Sequence, residues 1–327
     1  MTQKQYCDII YSLIKRGNFF LKKFIKIIAL ILVCVLVLPL TYGTGYLIGT
    51  IQNKQNEDNG YKKPNEQLNI MTLNICSWSF DGKDLETRAD GIAKTIRDNK
   101  IDSLGIQEAT PYWMNELVNR LGDEYAYVGV GGNSGKDYKE SNDNEDEFTA
   151  IFYLKSKFKI IDSGYFWLSE TPDEISYGWG SAYRRICNWV ILENKYTRTQ
   201  FVHLNTHFDN ASSEARKNSI GMILNKAKEF ENLPVVFSAD LNFIEKSLGY
   251  RDITADVLKD TKVLAKDTMN SATFHNADPN AYKDFVLDYI LINDGFKALK
   301  YEVVKKKYNN RYISDHYAVV TKLEVAS

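Results

Sequence analysis

Six short stretches end an apolar run with a side chain that handles metals or protons: Leu73-Asn74, Ser103 to Glu108, Leu204 to His207, Phe237 to Asn242, Leu287-Asp288 and Ser314-Asp315-His316. Each reads as a buried strand whose exit carries an Asp, Glu, Asn or His. Strands that deliver such groups to one rim build a site for a divalent cation and a phosphate. Asn74 and Glu108 offer hard oxygens of the kind Mg²⁺ or Mn²⁺ takes. Within Ser238-Ala-Asp-Leu-Asn-Phe, Asp240 and Asn242 would supply a base for water and a neutral donor for a phosphate oxygen, or form an ordinary Asx-turn after a strand. His207 and His316 are two of the four histidines in the chain, and both follow strands with acids nearby, Asp209 and Asp315. Near neutral pH an imidazole can donate a proton and stabilise developing negative charge.

Further candidates lie around these. Arg184 and Arg185 are adjacent in a chain that prefers lysine, and a guanidinium binds phosphate through paired hydrogen bonds. Trp167, Tyr177 and Trp179 offer aromatic faces on which a base or sugar could stack. The acidic run Glu140 to Glu147 lacks the spacing and central Gly of a calcium loop and reads as solvated.

The positioning elements follow from hydrophobic periodicity. Strands are expected around Ile70–Asn74, Ile101–Ile106, Tyr125–Val130, Phe148–Leu154, Lys159–Leu168, Arg185–Leu192, Thr199–Asn205, Val235–Ser238, Phe285–Ile292, Tyr301–Val304 and Tyr317–Leu323. Helices are expected over Leu85–Arg97, after Thr110-Pro111 (cap and first position), and after Ser212. Many strands with few helices suggest two packed sheets with helices outside. Cys76 and Cys187 read as isolated core thiols, so neither a disulfide framework nor a zinc site is expected.

Upstream, residues 27–51 carry no charge and are long enough, at 1.5 Å per residue, to span ~30 Å of hydrocarbon. A transmembrane helix is therefore expected there, after a basic cytoplasmic segment, 1–26, and before a polar linker, 52–67. The catalytic domain, 68–327, would lie on the extracytoplasmic side of the cell membrane as a single-pass protein. Six basic side chains against one acid give residues 1–26 a charge of +5; the total is −1, so the remainder carries −6. That acidity argues against a strong nonspecific grip on duplex DNA, which needs clustered Lys and Arg.

Taken in order over residues 68–325, these motifs resemble the endonuclease/exonuclease/phosphatase superfamily. The resemblance implies an α/β fold, a four-layer α/β/β/α sandwich of two mixed β-sheets with the site at one edge. It implies a phosphoester hydrolase dependent on Mg²⁺ or Mn²⁺, with Glu108 as principal metal ligand, Asn74 assisting and Asp315 near the metal. His207 and His316 would flank the scissile phosphate, with Asp288 fixing the His316 tautomer. Arg185 aligns better than Arg184 with the family's phosphate-binding arginine, and Asn242 and His207 would share in binding substrate. Two departures stand out: Cys76 occupies a position where abasic-site endonucleases carry Asp, and Ala318 replaces a frequent Pro. The phosphate ester itself (nucleic acid, lipid head group or sugar phosphate) stays open, as do a single-strand nuclease, a sphingomyelin phosphodiesterase and a surface-anchored binding module that has lost turnover.

Overall fold

The computed structural model describes residues 66–78 and 85–326. The expected transmembrane span, 27–51, and nearly all of the linker lie outside the described residues; within them no helix is long and apolar enough to cross a membrane.

Thirteen strands form two sheets among the described residues. The first contains β1 (Gln67–Asn74), β2 (Ser103–Gln107), β3 (Tyr125–Val128), β4 (Ile151–Leu154), β10 (Asp267–Thr268), β12 (Phe296–Val304) and β13 (Ala318–Val325), in the order β10-β12-β13-β1-β2-β4-β3. The second contains β5 (Phe158–Trp167), β6 (Ile186–Asn194), β7 (Gln200–His207), β8 (Val235–Asp240), β9 (Lys259–Asp260) and β11 (Asp288–Ile292), in the order β5-β6-β7-β8-β11-β9. Each sheet is mixed: β1 and β2 are parallel, as are β7 and β8, while their other neighbours run antiparallel.

The alternation within β1 shows why the sheets stack. Leu68 and Ile70 join an apolar cluster with Val190, Val236, Ile290 and Val319 between the sheets. Met71 and Leu73 face the other way, into a cluster with α1 (Leu85–Asp98) and α2 (Pro111–Leu121). Both faces of the strand are thus buried, which explains its nearly unbroken apolar run. On the far side, α3 (Ser213–Glu229) and α4 (Leu248–Thr254) cover the second sheet through Ile220, Ile223, Ala227 and Ile253. The expected α/β/β/α layering is what the clusters describe. Thr110 caps α2, with Pro111 at its first position, and Ser212 caps α3, as the sequence implied.

Toward one edge the space between the sheets turns polar. His203 on β7 bridges them, its Nδ1 2.8 Å from Ser103 Oγ and its Nε2 2.9 Å from Ser238 Oγ. Beside it Gln107 donates to Thr72 Oγ1 and to Asn205 Oδ1, at 3.0 and 2.7 Å. Helix α4, the one-turn α5 (Thr261–Leu264) and the two-residue strands β9 and β10 were not foreseen, because segments this short carry too few periodic positions to show a pattern.

Candidate active site

Register assembles the rim. In the second sheet His207 pairs with Asp240 across β7 and β8, and Asp240 pairs with Asp288 across β8 and β11. Three ionisable groups therefore occupy one row. From the first sheet, Asn74 ends β1, Glu108 follows β2, and Ser314 to His316 precede β13. Backbone geometry at these exits is unusual: Cys76, Glu108 and Asn242 have φ of 57°, 60° and 50°. Non-glycine residues hold that region at a cost, and such positions concentrate at functional sites.

The side chains meet at Asp240 Oδ2. It accepts from Asn74 Nδ2 at 3.0 Å and lies 3.5 Å from His207 Nε2 and 3.8 Å from His316 Nε2. The same Asn74 nitrogen donates to Glu108 Oε1 at 2.9 Å, and Ser77 N donates to Glu108 Oε2 at 3.1 Å. Asn242 donates its backbone N–H to Asp240 Oδ1, and its amide nitrogen donates to Phe208 O and sits 2.9 Å from His207 Nε2. A cavity of about 780 Å³ opens here, lined by Glu108, Arg185, His207, Asp240, Asn242 and His316 among others. Asp315 also lines it.

Asp288 lies behind the cavity, fully buried, with Oδ2 2.8 Å from His316 Nδ1. Burial alone would keep the His316 ring neutral, but Asp288, then Asp240 and Asp315, outweigh it and push the imidazole up to about 10. The pair therefore favours the charged imidazole, and His316 Nε2, 3.8 Å from Asp240 Oδ2, belongs to a residue that lines the cavity.

His207 has a different acid partner from the one its sequence neighbours suggest. Asp209 instead accepts the backbone N–H groups of Ala182, Tyr183, Ala211 and Ser212. Glu147 Oε1 lies 2.6 Å from His207 Nδ1, and Glu147 Oε2 accepts from Arg185 NH1 at 2.8 Å. Burial would raise the Glu147 carboxyl, but Arg185 and His207 prevail and hold it at about 2. For His207, burial and Arg185 favour the neutral ring, while Glu147 and Asp240 prevail and raise it. Glu147 is the member of this cluster that strand patterning missed. The reading of residues 140–147 as a solvated loop is corrected at Glu147 and at Asp146, which is fully buried and accepts from Asn133 N, Ser134 Oγ and Ser141 Oγ.

Arg185, expected as the phosphate-binding arginine, lines the cavity with its NH1 bound to Glu147. Trp167 is 4% exposed and donates to Gly132 O, so it is core and no stacking platform. Tyr177 is exposed and lies under the Arg184 guanidinium. Cys76 and Cys187 are both buried free thiols.

The donor set suits a hard divalent cation. Glu108 and Asp240 each place an oxygen within 3.0 Å of the one Asn74 nitrogen, so two carboxylates already converge on a partial positive charge. Glu108 and Asp315, with Asp240 adjacent, are oxygen ligands of the kind Mg²⁺ or Mn²⁺ prefers. Asn74 differs from the expected ligand: its nitrogen faces the carboxylates, while its Oδ1 accepts from Cys76 N at 2.9 Å. Asp240, Asp288 and His316 also offer three atoms within 4.8 Å of one another. There Asp288 already spends an oxygen on the imidazole, so a hydrogen-bonded relay accounts for that cluster better than a cation.

No protein-family model matches the chain, and no curated protein matches it. Solved structures do. A Bacteroides thetaiotaomicron endonuclease/exonuclease/phosphatase family protein is 29% identical, with a TM-score of 0.75 over 81% of this chain and 100% of that one. A Bacteroides vulgatus protein of the same description is 29% identical, with a TM-score of 0.73 over 80% and 100%. A Bacteroides thetaiotaomicron mannosyl-6-phosphatase is 30% identical, with a TM-score of 0.73, again over 80% and 100%.

Proposed function

The chain belongs to the endonuclease/exonuclease/phosphatase superfamily, and from that premise we propose that it hydrolyses phosphate esters of small phosphorylated sugars with Mg²⁺ or Mn²⁺. The observation that carries the hydrolase reading is the hub at Asp240 Oδ2, where a carboxylate and two imidazoles from separate strands meet in one cavity. The sugar-phosphate reading is supported by the 30% identity to a mannosyl-6-phosphatase and by the −6 charge of the chain after residue 26.

In this reading Asp240 orients water and takes its proton as the water attacks phosphorus in line. Asn242 donates to a phosphate oxygen, and its backbone bond to Asp240 fixes the distance between base and donor. His316, kept charged by Asp288, and His207, oriented by Glu147, donate to the oxygens on which charge accumulates. A cation held by Glu108 and Asp315, with Asn74 beside them, would neutralise phosphate or leaving-group charge. We further propose that residues 27–51 anchor the chain, with the domain extracytoplasmic.

The test is steady-state hydrolysis of mannose 6-phosphate, a generic phosphodiester, single-stranded DNA, RNA and sphingomyelin, each with Mg²⁺, with Mn²⁺ and with chelator. Sugar phosphate should be the best substrate and chelator should abolish its turnover. Glu108→Gln or His316→Gln should lower kcat by about 10²–10³-fold, the scale of one lost transition-state partner. Full activity in chelator or in either variant sinks the mechanism; preference for nucleic acid or sphingomyelin replaces the substrate.

A further inference from the structure

Two adjacent arginines line the catalytic cavity in opposite circumstances. Arg185 is 5% exposed and bound to Glu147. Arg184 is half-buried, and among the described residues no carboxylate lies within 4.0 Å of it. Its Nε, like that of Arg185, is buried without a hydrogen-bond partner, so what separates the two is the carboxylate that Arg185 has and Arg184 lacks. A donor of a charged group left unpaired in the interior is costly unless a ligand brings the acceptor.

The main chain around Arg184 is fixed in advance. Asp209 Oδ2 accepts from Ala182 N and Tyr183 N at 2.9 and 3.2 Å, and Leu168 N donates to Arg185 O at 2.8 Å. On the other side Gly132 packs so closely that a Cβ there would fall 2.5 Å from Arg184 O. The Tyr177 ring centroid lies 4.3 Å from the guanidinium carbon. Stacking occupies a guanidinium face and leaves its in-plane N–H groups for an oxyanion. The result is a cation on a fixed backbone, stacked on Tyr177 and with no paired carboxylate among the described residues, in a cavity far larger than one phosphate.

We propose that Arg184 is a specificity-determining residue that binds a second phosphoryl group of the substrate, separate from the one undergoing hydrolysis at Asp240 and His316. The inference rests on the phosphoester-hydrolase reading of this cavity. The reacting phosphate already has His207, His316 and Asn242 around it, and the Arg184 side chain, though it lines the same cavity, makes no hydrogen bond or ion pair with any of them. Glu145 and Glu147 line the same cavity and repel anions, Glu147 less so because it is paired with Arg185, so a second phosphoryl group there depends on the Arg184 guanidinium. Such a group could belong to a sugar bisphosphate or to a terminally phosphorylated nucleotide chain.

Wild type and Arg184→Gln are to be compared on hexose 6-phosphate against hexose 1,6-bisphosphate, and on a dinucleotide with and without a 5′-phosphate. The doubly phosphorylated member of whichever pair is hydrolysed identifies the source. Its kcat/KM should fall by about 10- to 100-fold in the variant, through KM. The singly phosphorylated member should change by less than about twofold, and Arg184→Lys should recover part of the loss. Equal losses on both members, or no loss, overturn the assignment. If wild type hydrolyses nothing, the hydrolase reading fails, and calorimetric binding of the hexose mono- and bisphosphates decides Arg184 alone. A bisphosphate-to-monophosphate affinity ratio unchanged by Arg184→Gln would then refute the subsite.

Discussion

Replacing Glu147 with Gln removes one negative charge from between Arg185 and His207 and leaves the volume unchanged. A carboxyl held at about 2 instead of 4.5 corresponds to roughly 3 kcal/mol favouring the ionised form in the fold. The side chain is 24% exposed, so solvent screening reduces the usable part to about 2 kcal/mol. The folded-state value lies below the unfolded one. The stabilisation is therefore complete above pH 4.5 and is lost as pH falls through about 2. Urea unfolding of wild type and Glu147→Gln at pH 7 should show the variant less stable by about 2 kcal/mol, with the gap narrowing as pH drops below 4.5. His207 also loses the neighbour that raises its pKa and fixes its ring. Turnover should accordingly fall in kcat more than in KM. Equal stability at pH 7 together with unchanged kcat would refute the claim that Glu147 organises this half of the site.

Two further outcomes test the junction between the sheets. Burial pushes the inter-sheet His203 down to about 3, so its contribution is intact above pH 6.5 and is lost on acidification, by roughly 2 kcal/mol at pH 5; His275, which burial holds at about 4, adds a loss of its own, so His203→Gln should reduce the fall in urea midpoint by its share without abolishing it, whereas a wild-type curve flat from pH 7 to 5 would contradict it. Gly105→Ala would place a Cβ 2.1 Å from Ser238 Oγ and 2.4 Å from Asn205 Oδ1, and should cost about 1–3 kcal/mol or more by urea unfolding; an unaltered midpoint would show that the sheets separate there at no cost.

What was legible depended on whether a residue's role is set by its own strand or by a distant one. Asn74, Glu108, His207, Asp240, Asp288 and His316 could be found because each sits where an apolar run stops, and parallel or antiparallel register then brings the stops together. The layers were legible for the same reason, since the apolar residues of β1 fall on both of its faces and β2 is buried throughout. Glu147 was not, because it lies in a polar loop and meets His207 across 60 residues with no periodic signal between them. Nor does one-dimensional pattern say which of two adjacent guanidiniums is consumed by a carboxylate: Arg185 is paired with Glu147 and lies 3.9 Å from Asp209, contacts that only the folded loops bring about. Asn74 shows a finer limit. Its place at the rim followed from its strand, but the left-handed turn at Cys76 draws its oxygen onto a backbone N–H and turns its nitrogen toward the acids. Strand exits place the groups proposed to act on phosphorus, whereas the loops that neutralise or free neighbouring charges set which anions the cavity would accept, and in the proposed reading substrate choice rests on Arg184 and its fixed backbone more than on the row of His207, Asp240 and Asp288.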